Sequence, residues 1–285
     1  MSALRQTASP TVLVDGEFPF TQADFDAIAA ILYDVSGIHL QPAKATLVYS
    51  RLAKRLRVLG LDDFAAYRAR LDGPQAADER AALLSALTTN VTRFFREPHH
   101  FDLLRRQVRQ ALAPAARAGG RVRLWSAGCS LGHEPYSMAM AVLAELPEAA
   151  ELNVRILATD IDPQVVAHAR AADYSEDDLA PTPPDLAARG LVRKDGRTRI
   201  ADDARALVRF GVLNLHADWP MTGVFDAIFC RNVAIYFDDA TQAKLWTRFA
   251  QRLTPAGRLY IGHSERAETP LLTPDGLTVY RRSDA

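Results

Sequence analysis

The chain has 285 residues, enough for one large and one small domain. Basic and acidic side chains balance at 34 each, so the whole molecule lacks the net basicity of a nucleic-acid binder. Two distant cysteines, Cys129 and Cys230, exclude a disulfide framework, and no uncharged apolar run nears the roughly 18 residues of a membrane span. A cytoplasmic protein without membrane insertion is expected.

Residues 1–17 lack a basic start followed by an apolar core and read as a flexible tail. Residues 18–90 read as an all-α domain. Thr21 is placed to cap a first helix, with Asp24 at the capping-box position and Phe25, Ile28, Ile31 and Leu32 on one face. Ser36-Gly37 ends it. Pro42 suits the first turn of a second helix running to Leu59, with an apolar face of Ala45, Val48, Tyr49, Leu52, Leu56 and Leu59. Two more helices are expected near 64–71 and 76–87. No strand candidate appears between residues 21 and 90. A linker segment and helix fill 91–120.

From Arg121 the period changes. VRLWSA (122–127), VRILATD (154–160), ALVRFGVLNL (206–215), FDAIFC (225–230) and RLYIGHS (258–264) read as strands. Helical segments at 134–146, 163–171 and 239–253 separate most of them. Alternation of this kind implies right-handed crossovers and a mostly parallel sheet, an α/β Rossmann-like domain over 121–285. GLTVYRR (276–282) suits an antiparallel edge strand. Residues 173–205, rich in charge and proline, read as an inserted subdomain.

In open α/β sheets, ligands bind beyond the carboxyl ends of the strands. The first such turn, LWSAGCSLGHEPYS (124–137), has small residues that would let a ligand approach the backbone. Glu134 opens the following helix, where a pyrophosphate would want no acid. An acid there favours a cationic ligand, which points from a dinucleotide toward S-adenosylmethionine. Asp160, ending the second strand, is placed to accept ribose hydroxyls. Taken alone, Glu134 reads equally as a helix N-terminal acid and Asp160 as an N-cap.

Between Val35 and Leu61 there is no acid and there are five bases, Lys44, Arg51, Lys54, Arg55 and Arg57. At helical pitch they lie opposite the apolar stripe. They suit either a solvated face or a dock for an acidic partner. His99, His100, His133 and His263 have no metal-ligand spacing, so no metal site is expected.

ALTTNVTRFFREPHHF, SAGCSLGHEPYSMAM, ATDID, FDAIFCRNVAIYF and GHSE occur in that order from about residue 85 onward. With them, the chain from about Phe20 resembles the CheR family of chemoreceptor methyltransferases. The resemblance implies a methyltransferase domain behind an all-α receptor-docking domain. It implies S-adenosylmethionine-dependent methylation of receptor glutamates, with S-adenosylhomocysteine as product. By resemblance, Asn90, Thr92, Arg96, Glu134, Asp160, Asn214, Leu215, Arg231 and Asn232 hold the cofactor. Arg96 and Tyr236 face the methyl group and the substrate. Lys44, Arg51, Lys54, Arg55 and Arg57 would meet glutamate-rich cytoplasmic helices of the receptor. His133 stands where an acid is expected and would weaken the negative field. The insert RGLVRKDGR has no glycine between Gly190 and Gly196, which implies independence of a receptor pentapeptide tether. A small-molecule methyltransferase and a non-catalytic cofactor-binding adaptor are the alternatives.

Overall fold

A computed structural model describes residues 11–74 and 76–283. The chain divides between Thr89 and Asn90 into two compact units.

The first unit begins with a short antiparallel pair, β1 (Val12–Val14) and β2 (Phe20–Thr21). The part of the expected tail from residue 11 on is therefore paired into the fold, while residues 1–10 lie outside the described residues. The pairing escapes sequence reading because neither strand exceeds three residues. Four helices follow: α1 (Gln22–Ser36), α2 (Ala45–Leu59), α3 (Phe64–Asp72) and α4 (Ala76–Leu87). Thr21 and Asp24 form the reciprocal capping box, and Gly60 closes α2 in the left-handed conformation. Phe20, Phe25, Ile28, Val48, Leu52, Leu56, Phe64, Tyr67 and Leu71 make one core. A buried ion pair is set beside it. Glu79, 3% exposed, accepts both Nε and Nη2 of Arg55 at 2.8 and 2.7 Å.

The second unit opens with α5 (Pro98–Gln107), a π-helical turn at Val108–Leu112, and α6 (Ala113–Arg117). The segment expected as a linker is thus part of this unit's core, through Phe94, Phe95, Phe101 and Leu104. The chain then runs β3 (Val122–Ala127), α7 (His133–Glu145), β4 (Val154–Asp160) and α8 (Pro163–Ala171). The insert holds α9 (Glu176–Leu179), α10 (Pro184–Gly190), the hairpin β5 (Leu191–Lys194) and β6 (Arg197–Ile200), and α11 (Asp202–Leu207). β7 (Val208–Val212), β8 (Phe225–Cys230), α12 (Asp239–Arg252), β9 (Leu253–Ile261), β10 (Leu272–Gly276) and β11 (Val279–Arg282) complete it.

The main sheet has seven strands in the order β10-β11-β9-β8-β3-β4-β7. β9, β8, β3, β4 and β7 are parallel, and the last hairpin is antiparallel. The expected edge strand β11 is one place in, because residues 272–276 pair outside it. Parallel strands covered on both faces read as near-continuous apolar runs, which is why they were legible. One face packs on α5, α6 and α7, and the other on Trp125, Trp219, Trp246, Phe249 and their neighbours. The chain leaves β3 toward β4 and β7, then returns to β8 and β9 on the other side. The switch point lies between β3 and β8, so the crevice beyond their carboxyl ends is where a ligand fits.

Candidate active site

The turn after β3 is shaped first by the protein. Gly128 and Cys129 both donate N–H groups to the Thr159 carbonyl at 2.8 Å. Gly128 has φ +89°, and a Cβ there would stand 2.3 Å from Cγ2 of Val233. A side chain is therefore excluded by the neighbouring loop, whatever ligand approaches. Ser130 follows in the left-handed region and donates its N–H to Asp160 Oδ2 at 2.8 Å. Asp160 Oδ1 accepts the Asp162 N–H at 3.1 Å. Each oxygen is thereby aimed and keeps a lone pair. The N-cap of α8 is Asp162, so Asp160 is left for another task. Burial raises its pKa, against the lowering effect of those N–H bonds.

Three charges from different elements meet next to this turn. Arg231, at the end of β8, has a side chain only 2% exposed. Its guanidinium lies 3.2 Å from Glu134 Oε2 and 3.2 Å from Glu97 Oε2, donates to the Arg96 carbonyl, and stands over the Phe101 and Phe229 rings. Ser126 donates its hydroxyl to Glu134 Oε1 at 2.7 Å. Burial pushes the Glu134 carboxyl up, while the charge of Arg231 and the Ser126 bond pull it down. Burial also acts upward on Glu97, but a hydrogen bond from His263 at 2.9 Å and the Arg231 charge hold it below the ordinary value. Two carboxylates against one arginine, with Asp160 beyond them, leave the crevice negative. That suits a cation. Arg231, expected to close the site near the methionyl group, braces the two acids and the Arg96 backbone.

Arg96 itself is half-buried, and its guanidinium makes a long contact of 3.4 Å with the Val91 carbonyl. Asn90 accepts the Ser130 hydroxyl on its carbonyl at 3.0 Å, and Thr92 lies half-buried on the same irregular segment. Past Arg231 the loop carries Asn232, in the left-handed region, and Tyr236, half-buried at the end of a short 3-10 turn. After β7, Asn214 Oδ1 accepts the His216 N–H at 2.9 Å, and Leu215 is buried. This loop is tied to Asp160, whose carbonyl accepts the Leu213 N–H at 2.9 Å. Arg248 holds it from below, donating to the carbonyls of Leu215 and Ala217 at 2.8 and 2.7 Å while stacking 3.9 Å above Trp219. Asn90, Thr92, Arg96, Glu134, Asp160, Asn214, Leu215, Arg231, Asn232 and Tyr236 all belong to this second unit. Of its non-glycine residues with positive φ, Phe95, Glu97, Ser130 and Asn232 border this crevice. Such backbone outliers cost on the order of 1–3 kcal/mol each and collect at functional sites.

Two expectations can be set beside the structure. His133 adds no positive charge to the field, and the charge of the acid expected there is absent. The His133 ring is buried between Phe94 and Tyr174 at 4.7 and 5.0 Å, and burial lowers its pKa to about 4, so it is neutral at pH 7. The basic residues of α2 are not one free face. Arg51 donates to the carbonyls of Ala86, Leu87 and Thr88, Arg55 pairs with Glu79, and Arg57 pairs with Glu17 at 2.5 Å. Lys44 and Lys54 are exposed, as is the Arg57–Glu17 pair. Helical period assigns a face but not the partners waiting on it. Sequence reasoning also missed Glu97 and Glu265. Both stand inside motifs quoted above, RFFREP and GHSE, and acids within such motifs were the available signal.

Two family models match the chain. One, CheR methyltransferase, all-alpha domain, covers residues 23–88, and the other, CheR methyltransferase, SAM binding domain, covers residues 90–272. A probable chemotaxis protein methyltransferase of Rhizobium etli is 48% identical over 88% of this chain and 96% of that protein. Chemotaxis protein methyltransferase 2 of Pseudomonas aeruginosa is 42% identical over 96% of this chain and 98% of its own length. The chemotaxis protein methyltransferase of Escherichia coli is 40% identical over 92% of each. With its helical unit, its negative crevice and its switch-point turn, the chain belongs to the CheR methyltransferase family.

Proposed function

We propose that this chain methylates glutamate side chains of chemoreceptors, using S-adenosylmethionine and releasing S-adenosylhomocysteine. The observation that carries the reading is the negative crevice, with Glu134 and Glu97 around a single buried arginine and Asp160 aimed by two backbone N–H groups. The donor set fits S-adenosylmethionine, whose amino and sulfonium groups are positive and whose ribose has two adjacent hydroxyls. Glu134 would take the amino group, Asp160 the ribose, and the Asn214–Leu215 loop the adenine. Asn90, Thr92, Asn232 and the Arg96 backbone close the methionyl end.

When bound, the cofactor supplies an electrophilic methyl on a positively charged sulfur. The chain's own residues then have one main task, which is alignment. A glutamate with a pKa of about 4.3 is already ionised at neutral pH, so no general base is required. Arg96 orients the incoming carboxylate through its planar fork and leaves one oxygen free to attack along the sulfur–methyl axis. Tyr236, on the neighbouring loop, walls the methyl pocket. An anion and a cation become neutral products, so water exclusion by this loop favours the transition state.

Lys44 and Lys54, with the outer parts of Arg51, Arg55 and Arg57, form the receptor-facing charge of the helical unit. The inserted hairpin, Leu191–Lys194 paired with Arg197–Ile200, has no glycine between Gly190 and Gly196, which fits independence of a C-terminal tether. No helix among the described residues is long and apolar enough to cross a membrane, and we place the enzyme's action on the cytoplasmic part of the receptor. Neither a nucleic acid nor a metal enters this reading. The small-molecule and adaptor alternatives gain no support from the comparisons. The test is transfer of labelled methyl from S-adenosylmethionine to a receptor cytoplasmic fragment. Base-labile, receptor-dependent label is the expected result. Label on free small acids alone, or none from a protein that binds S-adenosylhomocysteine, overturns it.

A further inference from the structure

Glu265 is 5% exposed and lies just past the carboxyl end of β9. Its Oε1 accepts N–H groups from Val233, Ala234 and Ile235 at 2.9, 2.8 and 3.3 Å. Its Oε2 accepts those of Asn232 and Gly262 at 2.9 and 2.6 Å. Four of these donors are consecutive in the chain. Successive N–H groups pointing into one concavity form an anion-binding nest with a positive field. This nest lies in the loop after β8, beside the turn after β3. Val233, held through its N–H, puts Cγ2 where a Gly128 side chain would be. A Cβ at Gly262 would come 2.6 Å from Asn232 Nδ2 and 2.9 Å from Glu265 Oε2, so the packing leaves no slack.

Left empty, such a nest would turn its positive field on a crevice that has to hold a cation. The chain fills it with its own anion. Among the described residues Glu265 takes part in no ion pair, and backbone dipoles carry its charge. We propose that Glu265 is a positioning residue with two effects on the cofactor site: it fixes the Asn232–Tyr236 wall, and its charge removes the field that would repel a sulfonium. This rests on the reading of the crevice as the S-adenosylmethionine site.

The two effects separate by ligand charge. S-adenosylmethionine and S-adenosylhomocysteine share every polar group but differ by the sulfonium charge and methyl. A merely structural prop would affect both alike. Calorimetric titration of the wild type, Glu265→Gln and Glu265→Asp with each ligand reads this directly. In the Gln variant, S-adenosylmethionine is expected to weaken about tenfold more than S-adenosylhomocysteine. The Asp variant keeps the charge and is expected to preserve the wild-type ratio of the two affinities, even where both fall. Equal weakening of both ligands in Glu265→Gln overturns the electrostatic role. Should the Gln variant not fold, Glu265→Ala removes the same charge and is read with the same two ligands: a larger loss for S-adenosylmethionine upholds the electrostatic role, and equal weakening of both overturns it. A folded wild type that binds neither ligand overturns the cofactor reading itself, a separate outcome.

Discussion

Replacing Arg231 with methionine tests the brace behind the crevice. The substitution keeps an unbranched, apolar body of similar reach and removes the charge. Arg231 is 2% exposed and its partners Glu97 and Glu134 are each 12% exposed, so water cannot take its place. At 3.2 Å, each charge pair attracts by about 5 kcal/mol at an effective dielectric near 20, before desolvation is subtracted. Breaking a buried pair by removing one partner costs about 3–5 kcal/mol, and we expect a loss in that range. The sign of its pH dependence follows. Without the arginine, the Glu134 carboxyl rises further above its unfolded-state value, and Glu97 loses part of what holds it down. Stability is then fullest in acid and falls as pH rises through the raised value. The deficit should be largest near about pH 8 and shrink toward about pH 5. Urea unfolding followed by tryptophan fluorescence is the assay. Trp125, Trp219 and Trp246, the chain's three tryptophans, all lie in the second unit, so the signal reports that unit. A loss below about 1 kcal/mol near pH 8, or a deficit unchanged with pH, refutes the reasoning.

Other consequences can be checked in parallel. Arg55→Ala leaves the Glu79 carboxylate buried, and hydrogen exchange across Ala76–Leu87 should show a loss of about 2–4 kcal/mol. Burial acts upward on Glu79 but Arg55 holds it below the ordinary value, so that difference should vanish as pH falls below the usual glutamate range. Gly128→Ala should weaken S-adenosylhomocysteine binding by about tenfold or more, with partial recovery on adding Val233→Ala. Wild-type binding by the single variant would show that the loop yields freely. Arg96→Ala should slow methyl transfer about a hundredfold in single-turnover assays while shifting S-adenosylhomocysteine affinity less than about threefold. A matching loss of affinity would make Arg96 a cofactor-binding group first.

Local order was legible because it is written locally. Thr21 with Asp24, Gly60 after Leu59, and the apolar spacing of α2 are all short-range signals. The parallel strands announced themselves as apolar runs. Misreadings arose where partners are remote. The expected helix ran to Leu253 and the expected strand began at Arg258, yet β9 starts at Leu253, which pairs with the remote Phe225 before the ladder resumes at Arg258 opposite Ala227. Val12–Val14 is a strand only because Phe20–Thr21 returns beside it. At the site, the acids Glu134 and Asp160 were visible from their place after strands. Their consequences were not. Arg231 meets Glu97 and Glu134 from positions 134 and 97 residues away, and no spacing rule predicts that. The helix α2 shows the same limit in reverse, since its charges could be counted but their internal carbonyl and carboxylate partners could not.

One residue near the crevice is held in two different ways. The main chain of Arg96 is fastened by the buried guanidinium of Arg231, while its own side chain makes one long hydrogen bond, to the nearby Val91 carbonyl. It therefore behaves as an arm on a fixed pivot. The pivot sets where the arm starts, and the arm's length and shape set what it can grip. Changing the side chain at position 96 alters the grip without moving the floor of the cofactor site, whereas changing position 231 displaces both. On the role proposed for Arg96, exchanging this one half-buried side chain would change which acidic acceptor is gripped, at little expense to the fold that supports it.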